Sequence, residues 1–215
     1  RGHFDESANG LHIFPGFISS DSAGYTTTLG RGGSDYTAAI IAAAIDADVL
    51  EIWTDVSGMM SADPRFVRNV RQISHITYRE AMELSHFGAK VIYPPTIQPV
   101  MAKGIPILVK NTFEPEDHGT LIESESAAKT EMIRGITSID KITVLSLEGS
   151  GMVGIPGFSK RLFDALSRAS INVILITQSS SEHSICVAIE DKHANEAKQA
   201  VDREFEYEIA VGRID

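Results

Sequence analysis

The sequence predicts a mixed α/β protein built in two units, and three observations carry that expectation. Between residues 49 and 110, β-type apolar runs alternate with helical patterns; this is the mark of strand–helix–strand units around a mostly parallel sheet. A polar stretch, Glu-Ser-Glu-Ser-Ala-Ala-Lys from residue 123, then lacks any apolar face and reads as a linker. Beyond it the elements follow the order βαββαβ, the ferredoxin-like pattern.

Taken in order, Leu11 to Ile18 is apolar but broken by Pro15 and Gly16, which predicts a strand followed by a turn. A helix is expected from about Asp35 to Ala47, apolar on most sides and therefore buried. Residues 49–54 read as a strand inside a parallel sheet, with Asp55 to Gly58 as the turn at its C-terminal end. Thr77 and Glu80 have capping-box spacing and Gly88 sits where a C-terminal cap belongs. Pro94 and Pro95 open a short helix that ends near Gly104, and Ile105 to Lys110 is a strand.

In the second unit, Lys141 to Leu147 is a strand and Glu148 to Gly157 a glycine-rich loop. Phe158 to Ser170 places Leu162, Phe163, Leu166 and Ala169 at helical spacing. Asn172 to Thr177 and Ser184 to Ile189 are strands, Asp191 caps a helix to about Phe205, and Tyr207 to Val211 is a last strand.

The 215 residues suffice for one large domain or two small ones. A formal net charge of -10 argues against a nucleic-acid-binding face, which needs clustered Lys and Arg. It leaves room for ATP, which needs only a local positive site. The one cysteine, Cys186, cannot form an intrachain disulfide and fits a reducing compartment, and no apolar run spans a bilayer. A cytoplasmic protein without membrane partners is expected. The seven histidines show no metal-ligand spacing, so no protein-held metal is expected.

The most informative run is Thr-Thr-Thr-Leu-Gly-Arg-Gly-Gly-Ser-Asp-Tyr-Thr at 26–37. Its glycines let the backbone approach an anion and aim N–H groups at it. Ser34 or Asp35 is positioned to cap the helix that follows, whose N-terminus favours negative charge. Arg31 supplies a fork for a carboxylate or phosphate. The glycines alone predict only a turn; the arginine, the hydroxyls and the acid turn the expectation towards an anionic small molecule.

Four motifs in order resemble those of aspartate kinases: residues 26–37, Ile-Trp-Thr-Asp-Val (52–56), Ala-Asp-Pro-Arg (62–65) and Phe-Gly-Ala-Lys-Val (87–91). Asn-Thr-Phe (111–113) and Gly-Thr-Leu-Ile (119–122) resemble the end of that catalytic domain. The run Leu-Ile-Thr-Gln-Ser-Ser-Ser-Glu (175–182) is similar to the ACT sensing module of threonine-regulated aspartokinases, often fused to homoserine dehydrogenase. The run Tyr-Arg-Glu-Ala-Met-Glu-Leu-Ser (78–85) leans the same way.

The resemblance implies the C-terminal part of an amino-acid-kinase-type three-layer sandwich at 1–122, a linker at 123–138 and an ACT domain at 139–215. It implies phosphoryl transfer from ATP, with Mg2+, to L-aspartate, and feedback by threonine first and lysine second. Homo-oligomerisation through the ACT units is implied as well. Arg31, Gly32, Gly33 and Ser34 would bind aspartate and Asp35 would be the catalytic aspartate, a plain helix cap being the other reading. Thr54, Asp55, Arg65, Lys90 and Val91 would meet ATP. Gln178, with Asn172 second, would hold the effector.

The sequence also departs from the family. The lysine-bearing Lys-Phe-Gly-Gly-type segment, the substrate-contacting glutamate and a second ACT unit have no counterpart among these residues, and Met60 stands where relatives often carry tyrosine. The 215 residues by themselves are therefore expected to be a catalytically inactive portion. The alternative is a non-catalytic amino-acid-sensing and oligomerisation module.

Overall fold

A short antiparallel hairpin, β1 (Ile18–Ser20) with β2 (Thr26–Thr28), precedes the first helix. The computed structural model describes residues 10–86, 91–125 and 133–215, and contacts divide the chain into units at 1–138 and 139–215. The expected strand from Leu11 does not form. Only Ile18 joins a strand, Leu11 and Ile13 are exposed, and Phe17 sits in the left-handed region at φ 76. Pro15 offers no N–H to a ladder, and that backbone reversal ends any extended run.

The hairpin delivers the chain into α1 (Gly33–Ile45). The helix starts before the expected Asp35, because Gly32 adopts φ 77 and serves as the cap residue. Ser34 and Asp35 therefore fall inside the first turn, and neither caps the helix with its side chain. Nor is α1 buried on most sides: Ala39 and Ala42 form its buried stripe, while Ile40 and Ile45 are exposed.

Then come β3 (Leu50–Thr54), β4 (His75–Thr77), α2 (Tyr78–His86), α3 (Pro94–Met101), β5 (Ile107–Asn111) and β6 (Thr120–Glu123). The sheet order is β3-β5-β6-β4, with β3–β5 and β4–β6 parallel and β5–β6 antiparallel. Leu50 and Ile52 are buried while Glu51 and Trp53 are exposed, so β3 is a half-buried edge strand among the described residues, not one covered on both faces. Ile52, Ile76, Ile107, Val109 and Ile122 from the sheet share one core with Ala39, Ala81, Leu84, Ile97 and Val100 from the helices.

Two helix starts follow their sequence signals. Thr77 N–H donates to Glu80 Oε2 at 2.9 Å and Glu80 N–H to Thr77 Oγ1 at 3.3 Å, a reciprocal capping box. Pro94 and Pro95 occupy the first turn of α3, where their missing N–H groups cost nothing. Gly88, expected to end α2, lies outside the described residues.

The second unit runs β7 (Ile142–Glu148), α4 (Phe158–Arg168), β8 (Leu175–Gln178), β9 (Ser184–Glu190), α5 (Ala194–Glu204) and α6 (Glu206–Ala210). Its antiparallel sheet has the order β7-β9-β8. Leu147, Ile185, Val187 and Ile189 pack with Phe158, Leu162, Leu166, Ala197 and Val201 in a second core.

Two expectations fail here. Asp191 does not cap α5: it lies in a short 3-10 turn and accepts from Thr143 Oγ1 at 2.6 Å. The expected strand at 207–211 is helical, with Gly212 N–H closing on Ile209 O and Arg213 N–H on Glu208 O. Strand-like pairing appears later instead, where Glu148 and Asp215 exchange backbone hydrogen bonds of 3.0 and 2.7 Å beside β7.

Candidate functional site

The glycine–arginine loop is shaped by two close approaches. A Cβ on Gly32 would lie 2.5 Å from Tyr93 Cβ, and one on Gly33 would lie 2.7 Å from Leu29 Cβ. Gly30 also has positive φ, 74, but faces open space. Gly33 N–H donates to Gly30 O and Tyr36 N–H to Gly32 O. With no side-chain cap, the Ser34 and Asp35 N–H groups are left pointing out of the helix start. Thr37 Oγ1 ties the turn back, donating to Gly33 O at 2.8 Å and accepting from Phe17 N–H at 3.2 Å.

Arg31 is exposed beside these N–H groups and Asp35 is half-buried. Burial pushes the Asp35 carboxyl above its ordinary value, against a hydrogen bond from Ser34 Oγ at 3.5 Å that pulls it down. A groove of about 430 Å³ lined by Phe14, Ser34, Thr37, Ile41 and Ile45 runs along α1 from this loop.

Topology brings the strand ends to the same place. The 13 residues of α1 span about 20 Å, and β3, which follows after a short turn, returns for about 17 Å. The N-terminus of α1 is thus level with the C-terminus of β3. The α3–β5 pair repeats the arrangement, and the Gly32–Tyr93 approach joins the two helix starts directly. Arg31 to Asp35, Thr54, Asp55 and Val91, just ahead of α3, therefore converge at one edge, the carboxyl end of the parallel strands, where α/β sheets bind ligands.

Thr54 Oγ1 donates to Asp55 Oδ1 at 3.2 Å. Val91 is half-buried against the core. Arg65 is pinned by Asp63, with Nε and Nη2 donating to the carboxylate at 3.0 and 2.6 Å, and it stacks over Phe66. That pairing holds the Asp63 carboxyl below its ordinary value. Lys90 lies outside the described residues. Ser57 and Asn111 are hydrogen-bonded to each other at this edge; Asn111 belongs to the 111–113 motif, but neither residue is among the site candidates read from sequence. The available signal was an amide closing a strand that opens on the apolar run Ile107, Leu108 and Val109.

In the second unit the serine-rich turn and the glycine loop meet. Gly149 N–H donates to His183 O at 3.0 Å and Gly154 N–H to Glu182 Oε2 at 2.9 Å. Gln178 ends β8 next to this junction, whereas Asn172 precedes the strand; β8 alone spans about 13 Å, so the structure holds the two candidates apart. Gly149 and Gly151 have a packing reason of their own, since a Cβ there would meet Arg213 O at 2.3 Å and Arg213 Cβ at 2.7 Å.

The fold is a mixed α/β unit followed by a smaller unit of helices with a three-stranded antiparallel sheet. Residues 6–111 match the amino acid kinase family and residues 145–205 an ACT domain. The bifunctional aspartokinase/homoserine dehydrogenase of Haemophilus influenzae is 45% identical over 197 residues, 92% of this chain and 24% of that protein. Clostridium acetobutylicum aspartate kinase superposes with a TM-score of 0.77 at 36% identity, over 89% of this chain and 45% of that one. Escherichia coli aspartokinase III, crystallised with aspartate and ADP in its R-state, gives 0.70 at 40% identity, over 81% and 38%. The chain belongs to the aspartokinase family, and it spans about a quarter of the length of its bifunctional relatives.

Proposed function

We propose that this chain supplies the aspartate loop and part of the nucleotide site of an aspartate kinase. The reaction transfers the γ-phosphoryl group of ATP to the β-carboxylate of L-aspartate, the first step towards lysine, threonine and methionine. The convergence of the Arg31–Asp35 loop with the ends of β3 and β5 carries the reading.

A carboxylate oxygen of the substrate forms the new bond to phosphorus, and the bond from phosphorus to the bridging oxygen of ADP breaks. The substrate is already an anion, so no base is needed, and catalysis is positioning with charge neutralisation. Arg31 forks onto the α-carboxylate while the Ser34 and Asp35 N–H groups and the flanking glycines set its place. Asp35 orients the positive groups around the phosphates. Thr54, Asp55, Arg65, Lys90 and Val91 receive the nucleotide. Among the described residues no three or more His, Cys, Asp or Glu side chains gather as a metal site. Mg2+ would enter with the ATP phosphates, where it would neutralise charge with few protein ligands.

Gln178, beside the serine turn, is the first effector contact, with threonine the leading ligand and lysine the second. The open sheet face carrying Val144 and Leu175, 62% and 50% exposed, supports pairing of ACT units. No described helix is long and apolar enough to cross a membrane. The single cysteine, Cys186, supports a reducing compartment such as the cytoplasm.

Arg31→Ala tests the reading in the full reading frame that carries these residues. Aspartate KM should rise on the order of a hundredfold with ATP KM unchanged. Unchanged aspartate kinetics would remove the assignment of Arg31. Calorimetry of this chain with threonine, lysine and methionine tests the effector assignment.

A further inference from the structure

The turn after β3 is held from three distant segments, and its key residue is Asn111. In the parallel ladder Thr54 is level with Asn111, and Thr112 N–H donates to Thr54 O at 2.8 Å. Asn111 is 8% exposed, and both ends of its amide are used. Its Oδ1 accepts from Phe113 N–H at 2.9 Å, a local turn. Its Nδ2 reaches back across 54 residues to donate to Ser57 Oγ at 3.0 Å. Ser57 Oγ in turn donates to Glu114 Oε2 at 3.3 Å, and Ser57 O accepts from Gln72 Nε2. One step later Met59 N–H donates to Thr120 Oγ1 at 2.8 Å, and that hydroxyl donates to Ile73 O at 2.6 Å.

A local turn needs only the Oδ1 arm, for which aspartate or serine would also serve. Burying the Nδ2 donor is unfavourable unless it is satisfied, and here it is satisfied by the turn that leaves Thr54 and Asp55. We propose that Asn111 is a positioning residue for the nucleotide: through Ser57 it fixes the Asp55–Ser57 turn in the geometry in which Thr54 and Asp55 meet ATP. This rests on the nucleotide assignment made above.

The test uses Ser57→Ala, Ser57→Thr, Asn111→Ala and the double Ala variant in the full reading frame that carries the segment. Two readouts are taken, the KM values for both substrates and equilibrium binding of a fluorescent ATP analogue. Ser57→Ala and Asn111→Ala should each weaken ATP by about three- to tenfold. Aspartate KM should stay within about twofold and the double variant should be no worse than either single. Ser57→Thr, which keeps the hydroxyl, should restore ATP affinity.

Unchanged ATP affinity in Ser57→Ala, additive effects, or parallel loss of both substrates with a lowered melting temperature would overturn the proposal. If Asn111→Ala does not fold, the Ser57→Ala and Ser57→Thr pair decides alone. An enzyme that binds ATP but ignores aspartate would sink the substrate assignment instead, and the nucleotide readout would still decide this one.

Discussion

Gly32→Ala is the sharpest perturbation of the aspartate loop, and its size follows from two separate terms. Gly32 has φ 77, a conformation that costs an L-residue about 1–2 kcal/mol. Its new Cβ would also lie 2.5 Å from Tyr93 Cβ and 2.6 Å from Tyr93 Cγ, atoms that cannot swing away as a side-chain tip can. Relieving that overlap moves the loop or the start of α3, at about 1–3 kcal/mol. The sum is about 2–5 kcal/mol of lost stability. Gly30→Ala is the internal control. It has φ 74 but no atom within 4 Å of the added Cβ, so only the first term applies. Urea unfolding of the two variants of this chain measures the difference. In the full reading frame, Gly32→Ala should also raise aspartate KM far more than Gly30→Ala, because the loop that aims Arg31 is displaced. Equal destabilisation by the two substitutions would refute the argument that Tyr93 shapes the loop.

Three other outcomes are expected. Asp35→Asn should lower kcat by on the order of a hundredfold in the full reading frame; because burial already disfavours the Asp35 charge, thermal unfolding should be unchanged or shifted upward, and a lowered melting temperature would point to a structural role. Burial would raise the Glu80 carboxyl, but the bonds from Thr77 and the charge of Arg134 outweigh it and hold it below its ordinary value. Its contribution is therefore present above the ordinary range near 4.5 and lost as pH falls below it; urea titrations between pH 6 and 3 should show that slope in the native chain and a weaker one in Glu80→Gln. Arg161→Met should destabilise the second unit by about 1–2 kcal/mol, discounted for partial exposure, since Arg161 bonds Glu204 and Glu208 at 3.0 and 2.5 Å and lies 4.4 Å from the Phe205 ring centroid; unchanged chemical denaturation would rule that packing role out.

Much of the fold was legible where neighbouring residues decide the structure. The Thr77–Glu80 capping box and the Pro94–Pro95 helix start depend on contacts within one turn, so spacing alone announces them. The stripe of Phe158, Leu162 and Leu166 likewise declares its buried face. The short strands β4 and β6, of three and four residues, were not legible, because they exist only by pairing: β4 with β6 across more than 40 residues, and β6 also with β5. Tyr207, Ile209 and Val211 alternate as a strand would, yet form a helical turn in which Glu208 reaches Arg161 from 47 residues away.

The same division holds at the site. The sequence by itself determined the family motifs, the loop carrying Arg31 and Asp35, and the α/β alternation, since glycine positions, caps and apolar periods act locally. Only the tertiary structure decided that Gly32 must yield to Tyr93 and that Asn111 clamps Ser57. Those outcomes turn on which strand end lies beside which helix start, and the burial of apolar residues distant along the chain sets that arrangement.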